Sequence, residues 1–479
     1  MEKVSTKIIL HNQTSTHPKR MPLYKEDNFL IIQPGSEYTL FTFGLKDSLS
    51  PPQFRIPSIV YKDNNSNQYL SSASENTTEI HPIKLGKIVD LDAFNALLQI
   101  VLSSVIQQHP IITINQIPLL IIAPSLTWSK KQYEYTTKFV FETLEITAFN
   151  VLDLSLGATF GFANTVNSLV VNIAEDNIQV VPVIGYQSVK FAGEFIQGKG
   201  GVTLDEELKV KFPNFTPQQI EDLKLSGIFE FLLEGEESIG DINPDVDMET
   251  EDPSEFDVAK VLTDENGEQK EEVDEAQLKS NKELEKNFFI DSSTNEKVWV
   301  GKERFTTDSQ LIDLVAGGIY KTLLRINDLD KRQDCYDNII IVGSAALVPG
   351  LKQKIYAKLI HEYLVKEPAT PNGAANKQNE INAAIIKYQQ TDDAQEGDSQ
   401  LAMSQVPYRI RFAKTSDYFP EWKKPKEKGG SWHDCFFLGG EIYAKQIFSG
   451  GSHHHNKELF VSSEMYEERG PQSIWDVSI

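Results

Sequence analysis

Several stretches carry residue types that could do chemistry at close spacing. Ser452, His453, His454 and His455 stand in a glycine-flanked run, and imidazole is the commonest metal ligand. Three successive histidines cannot all turn toward one ion, so the run reads as a solvated loop. Gly198–Lys199–Gly200–Gly201 could offer backbone amides to an anion, but it lacks the spacing of a phosphate loop. It reads as a strand-to-helix turn ahead of Leu204. Between Glu234 and Glu275 stand 18 acidic residues against only Lys260 and Lys270. Such a run could complement basic partners such as histone tails; its plainer reading is a solvated linker. No Ser/His/Asp or Cys/His set has the context of a nucleophilic site. Two cysteines, Cys335 and Cys435, are too few for a disulfide framework or a cysteine-based zinc site, which predicts a reducing, intracellular setting.

Composition narrows the class further. The chain has 479 residues, 40% of them apolar and 10% aromatic, enough for a sizeable core and roughly three domains. Lys and Arg number 46 against 69 Asp and Glu, a net charge of −23, which disfavours direct nucleic-acid binding because phosphate contacts need clustered cations. A membrane helix needs roughly 18 apolar residues, and the longest apolar blocks, Ile117–Pro124 and Ile339–Pro349, are far shorter; no membrane association is expected. Residues 1–20 are polar and lack the apolar centre of a secretory signal, so they are expected to form a flexible extension. Lys423–Lys428 (KKPKEK) could be a weak nuclear import signal, although a solvated basic loop is the plainer reading.

The elements that would position any site follow from periodicity. Phe29–Gln33 and Tyr38–Phe43 flank Pro34–Gly35 as a hairpin. Leu91–Ile106 has helical apolar spacing, with Asp90 as its N-cap. Leu119–Ala123 reads as a buried strand and Lys130–Leu144 as the next helix. Leu169–Val171 and Gln179–Val183 form a second hairpin around residues 175–177. Gln310–Ile326 and Leu351–Leu364 read as helices, and Asn338–Gly343 as a strand. The order of hairpin, strand and helix occurs once before residue 165 and again after it, which predicts an α/β protein of two similar halves.

Seven ordered motifs carry a resemblance: Phe54–Val60 (FRIPSIV), His81–Gly86 (HPIKLG), Phe141–Leu144 (FETL), Pro182–Tyr186 (PVIGY), Ile341–Gly350 (IVGSAALVPG), Phe437–Gly440 (FLGG) and Tyr466–Pro471 (YEERGP). Their order and near-spacing resemble the actin superfamily over almost the whole chain. Asp417–Lys424, Leu438–Phe448 and Gly470–Val477 look like the actin-related subunits of fungal chromatin remodellers. The resemblance implies an actin-like fold: two ribonuclease-H-like halves around a central cleft, which in actin holds ATP and a divalent cation. It divides the chain into 21–164 plus 430–479 as the first half, with an outer subdomain at about 56–80, and 165–429 as the second. The second half would contain an acidic insertion at 234–286 and a polar insertion at 367–404. Only about twenty residues separate Val60 from His81, where actin has a longer subdomain, so filament formation is not expected.

The same resemblance implies a degenerate nucleotide cleft with no cofactor, no metal and no catalytic residue. Phosphate cradles need glycine turns whose amides face the anion. The first turn is Gln33–Pro34–Gly35–Ser36–Glu37, where the family has Asp–x–Gly–x–Gly, and the family's phosphate-contacting lysine falls at Leu40. The second is Asn172–Ile173–Ala174–Glu175–Asp176, with both glycines gone. The water-orienting glutamine aligns with Leu154, or with Asp153 one residue away, and the adenosine-side turn is Gly343–Ser344–Ala345. A divergent ATPase would have to use Glu175 or Asp176 for metal.

Phe160, Gly185, Tyr186, Leu438, Ile442 and Tyr443 map to the rim between the inner subdomains, where actins take amphipathic partner helices; the alternative is ordinary core. The resemblance implies a non-enzymatic nuclear subunit of SWI/SNF and RSC-type remodelling complexes. Its partners would be a second actin-related protein, forming a heterodimer, and a helicase/SANT-associated helix of the remodeller ATPase.

Overall fold

The computed structural model describes residues 24–45, 49–162, 165–233, 281–365, 406–416, 418–423, 432–449 and 459–477. The extension expected over 1–20, residues 234–280 of the acidic insertion, the polar insertion expected over 367–404, the basic stretch from 424 to 428 and the histidine run lie outside them. Residues 281–286, expected to belong to the acidic insertion, are instead part of the fold. Arg304, fully buried, donates to the carbonyls of Asn281, Leu284 and Gly301 and to Asn281 Oδ1. A buried guanidinium that finds this many acceptors fixes residues 281–284 against the 301–304 segment.

In the first half, β1 (Leu30–Pro34) and β2 (Tyr38–Phe43) form the expected antiparallel hairpin. β3 (Phe54–Pro57) extends it. Three short strands, β4 (Val60–Asp63), β5 (Tyr69–Leu70) and β6 (Thr77–Ile80), make the small outer sheet. β7 (Ile83–Lys84) and β8 (Lys87–Ile88) are joined by a tight turn with positive φ at Leu85 and Gly86. α1 (Leu91–Gln108) follows, and Asp90 caps it by accepting from Ala93 N at 2.9 Å. β9 (Leu119–Ala123), α2 (Lys130–Glu142) and β10 (Ala148–Asp153) complete the lobe. β10 runs without a loop into α3 (Leu154–Phe162).

The second half repeats the scheme. β11 (Ser168–Ile173) and β12 (Asn177–Ile184) form the expected hairpin, and β13 (Gln187–Ser188) and β14 (Glu194–Gln197) pair with β12. The glycine-rich stretch after β14 is the expected turn into α4 (Gly201–Lys211), followed by α5 (Pro217–Leu225). The outer lobe adds β15 (Glu230–Phe231), a hairpin of β16 (Asn287–Ile290) and β17 (Lys297–Val300), and β18 (Phe305–Thr306). α6 (Gln310–Leu324), α7 (Leu329–Asp337), β19 (Ile339–Val342) and α8 (Leu351–Tyr363) return to the inner lobe. α9 (Cys435–Phe448) then crosses to the first half, and β20 (Val461–Ser462) pairs with β10. The main sheets run β20-β10-β9-β1-β2-β3 and β13-β12-β11-β19, each joining a hairpin to parallel neighbours. Among the described residues, no helix is long and apolar enough to cross a membrane.

Strand alternation explains the layering. Leu30, Ile32, Leu119 and Ile121 face α1 and α2, whereas Ile31, Leu120 and Ile122 face a core shared with Val170, Val183, Ile340 and Val342 of the other sheet. Side chains of a strand point to opposite faces in turn, so runs apolar at every position are buried on both. α3 and α9 fill that shared core, and they cross with almost no side chain between them. A Cβ on Gly157 would fall 2.7 Å from Phe436 O, one on Gly161 would strike Cys435 O, and one on Gly439 would strike Gly157 O.

Gly439→Ala is therefore expected to destabilise the chain by about 1–3 kcal/mol, since overpacking against backbone allows no rotamer escape. Denaturant midpoints measure it; a shift under about 1 kcal/mol would show that the helices can separate without cost.

Candidate functional site

The cleft lies where the turns after β1 and β11 face each other. It has a volume of about 620 Å³ and is lined by Ser36, Glu37, Tyr38, Pro57, Ile59, His81, Ile83, Lys84, Glu175 and Asp176. On the first-lobe side, Gly35 N donates to Tyr38 O at 3.0 Å, and a Cβ at Gly35 would fall 2.6 Å from that oxygen, so the turn needs glycine. Gln33 is buried and donates to its neighbour's carbonyl, Pro34 O. Ser36 Oγ accepts from Gly86 N at 2.9 Å. Leu40, opposite Gln33 in the ladder, packs into the shared core. Glu37 keeps an exposed face, yet crowding by the surrounding protein, and then Glu221, raises its carboxyl above the usual range.

The second turn is closed over by its own lobe. Asn172 is nearly buried, and a Cβ on Gly343 (φ +100) would strike Ile173 O, so the Gly343–Ser344 turn packs directly on this one. Gly343 N donates to His433 O, and Ser344 opens a short 3-10 turn. Gly201 N donates to Ala174 O and Val202 N to Glu175 O, which presses the start of α4 onto the turn.

Both acidic residues of the turn are engaged. Glu175 meets Lys224 Nζ at 3.0 Å, and the same ammonium, 3% exposed, lies 2.9 Å from Asp205 and 2.6 Å from Glu221. The three carboxylates lie within 4.8 Å of one another, an arrangement able to hold a cation, and a lysine from α5 already supplies one. Burial works against that ammonium, but Glu175, Glu221 and Asp205 outweigh it and hold Lys224 above its ordinary range. Burial, with Asp205 and Glu221 adding to it, pushes the Glu175 carboxyl up to about 8 despite Lys224. Asp176 turns the other way, accepting from Leu85 N at 2.6 Å and from Asn177 Nδ2 at 2.8 Å. A triphosphate between the turns would therefore face the carboxylates of Glu37, Glu175 and Asp176 on a backbone that no longer offers a glycine cradle. The residues present do not fit a nucleotide with its metal.

Leu154, one of the two positions considered for orienting water, is buried in the shared core. Asp153 is also buried. It pairs with Lys190 at 2.9 Å and accepts from Ser125 and Ser155. Burial opposes its charge, but Lys190 and the two hydroxyls outweigh it and hold the carboxyl below the usual range.

The rim expectation needs correction at two positions. Leu438 is fully buried and Tyr443 only 4% exposed, because α9 turns them into the shared core. Tyr443 Oη accepts from Asn150 Nδ2, and burial pushes its hydroxyl up to about 12. The surface that remains is Tyr186, 42% exposed on the β12–β13 turn with Gly185, together with half-buried Phe160 and Ile442. The Phe160 ring stacks on Tyr443 beneath it and lies 5.8 Å from Tyr186. Val166, whose carbonyl accepts from Tyr186 N, extends the patch.

Reading the sequence did not single out Lys224, Asp205 or Glu221. A lysine three residues after a glutamate has the spacing of a solvent-facing helix pair, and nothing local marks this one as buried.

Comparison with known proteins gives two findings. The family model for Actin matches residues 24–386. The sequence is also 23% identical, over 95% of this chain and 99% of the relative, to the SWI/SNF and RSC complexes subunit arp9 of Schizosaccharomyces pombe (strain 972 / ATCC 24843).

The raised carboxyl of Glu175 has a pH signature. A group that titrates at about 4.5 when unfolded and about 8 when folded takes up protons on folding between those values. Its stabilisation is complete below the lower value and is lost as pH climbs through the higher one. Glu175→Gln is expected to flatten the fall in stability across that window, read from urea midpoints; a slope equal to that of the unaltered chain would refute it.

Proposed function

Because the chain belongs to the actin family, whose model spans residues 24–386, we propose that it is a non-enzymatic actin-related subunit of a nuclear, ATP-dependent chromatin-remodelling complex. The similarity to a protein named as a SWI/SNF and RSC subunit supports the type of assembly. One observation carries the non-enzymatic reading: Glu175 is tied to Lys224 and Asp176 to Leu85 N, so both acids that could have held a metal are spent on the protein itself. Hydrolysis needs a positioned metal and an oriented water; this cleft offers an internal ammonium and, at the two candidate water positions, a buried leucine and an aspartate paired with Lys190.

In this reading the fold serves as a rigid frame. It pairs with a second actin-related protein and takes an amphipathic helix of the remodeller ATPase at the rim, with Phe160, Tyr186 and Ile442 as apolar anchors and Val166 beside them. Aromatic side chains half-exposed over a packed floor suit a helix laid in a groove. ATP turnover belongs to the motor subunit.

Titration of the full chain with Mg-ATP in a calorimeter is expected to give no binding heat, and micromolar binding would overturn the nucleotide-free reading. The double variant Phe160→Ala, Tyr186→Ala is expected to weaken capture of a helicase/SANT-associated peptide by about 2 kcal/mol, roughly thirtyfold, measured well below its melting point. Leu438→Ala, a core truncation, is expected to cost stability instead, about 2–5 kcal/mol. Equal affinity of the double variant in a pull-down would remove the rim from the proposal.

A further inference from the structure

A ligand held between two lobes normally bridges them. Here a row of direct bonds spans the same gap. At the mouth, Asp176 Oδ2 of the second lobe accepts from Leu85 N of the first, at the tip of the β7–β8 turn. Asn177, which donates to the other Asp176 oxygen, lies so close to Gly86 that a Cβ there would fall 2.8 Å from its amide nitrogen. Lys87 Nζ donates to Gln197 Oε1 on β14 at 2.8 Å. Deeper, Leu126 N donates to Gln179 Oε1 at 3.0 Å, and Gln179 Nε2 donates on to Asn177 Oδ1. At the base, Lys190 pairs with Asp153, and the hydroxyls of Ser155 and Ser188 lie 2.8 Å apart.

We infer that the chain latches its own cleft shut: Asp176 clamps the second lobe to the β7–β8 turn of the first, and Lys224 serves as a built-in cation binding the 174–176 turn to α4 and α5. The substitutions that spoil the nucleotide cradle are the ones that form the latch. An anionic oxygen accepting from a backbone amide at 2.6 Å is a charge-assisted bond, stronger and more directional than an exposed ion pair. A glycine at position 176 could not make it. The ammonium contacts all three carboxyl groups without any exchangeable ion. The lobes are thereby held at one spacing, and the rim is presented to a partner in one preorganised shape. This inference deepens the nucleotide-free reading, but it stands on contacts that are present without any ligand.

Amide hydrogen exchange on the full chain tests it. The peptide covering residues 83–88 is expected to exchange slowly, and at the same rate in chelator and in Mg-ATP. Asp176→Ala is expected to speed that peptide by about tenfold, the factor carried by one charge-assisted bond, while peptides of β9 keep their rates. An Asp176→Ala peptide exchanging at the unaltered rate overturns the latch, as does an unaltered chain whose peptide slows only when Mg-ATP is added. Should Asp176→Ala fail to fold, Lys87→Met removes the exposed bond to Gln197 and is expected to speed the same peptide; an unchanged rate there overturns the latch equally. The variant arms contain no nucleotide, so they succeed or fail independently of the calorimetric test of the cleft.

Discussion

The described fold is hung on two helices that touch backbone to backbone. α3 leaves β10 of the first lobe and α9 arrives from the second, and Gly157, Gly161 and Gly439 let them cross with almost no side chain in between. A wider crossing would push the two sheets apart and open the core that Ile31 and Ile122 share with Val170 and Val342. Close-packed interiors transmit such displacements rather than absorb them. The position of the cleft, the depth of Leu438 and Tyr443 and the exposure of Phe160 all follow from that one contact.

Around the crossing, charge is handled internally. Three carboxylates gathered without a counterion would repel one another strongly in a partly desolvated site. Lys224 answers them from within the same lobe, and Lys190 answers Asp153 across the lobes. Charges that an exchangeable ligand could have balanced are balanced by tethered ones, which do not dissociate. That permanence removes any reason for the cleft to cycle between open and closed.

Elements with a strong local period were legible in the sequence. The two hairpins, β9, α1 with its Asp90 cap, α6 and α8 fall where their patterns place them, because buried strands and amphipathic helices declare their period within a few residues. The strand-to-helix turn at 198–201 was legible for the same reason. The rim was legible only in part. On α9 a helical position gives the direction of a side chain but not what stands opposite it, so Leu438 and Ile442 looked alike although one is core and the other reaches the surface. Charge composition does not mark where the acidic stretch ends, since Asn281 and Leu284 are held by Arg304, some twenty positions downstream.

By itself, then, the chain's residue order determined that this is an actin-family fold with its glycine cradles altered, since loss of a small residue from a turn is a local fact that needs no neighbour to interpret it. What became of the altered positions was decided only in three dimensions. Glu175 gained Lys224 from a helix about fifty residues away, and Asp176 gained the Leu85 amide from about ninety residues earlier. Whether a carboxylate binds a metal, repels a phosphate or clamps a backbone depends on which group the fold sets within hydrogen-bond distance. Separation along the chain carries no information about that distance.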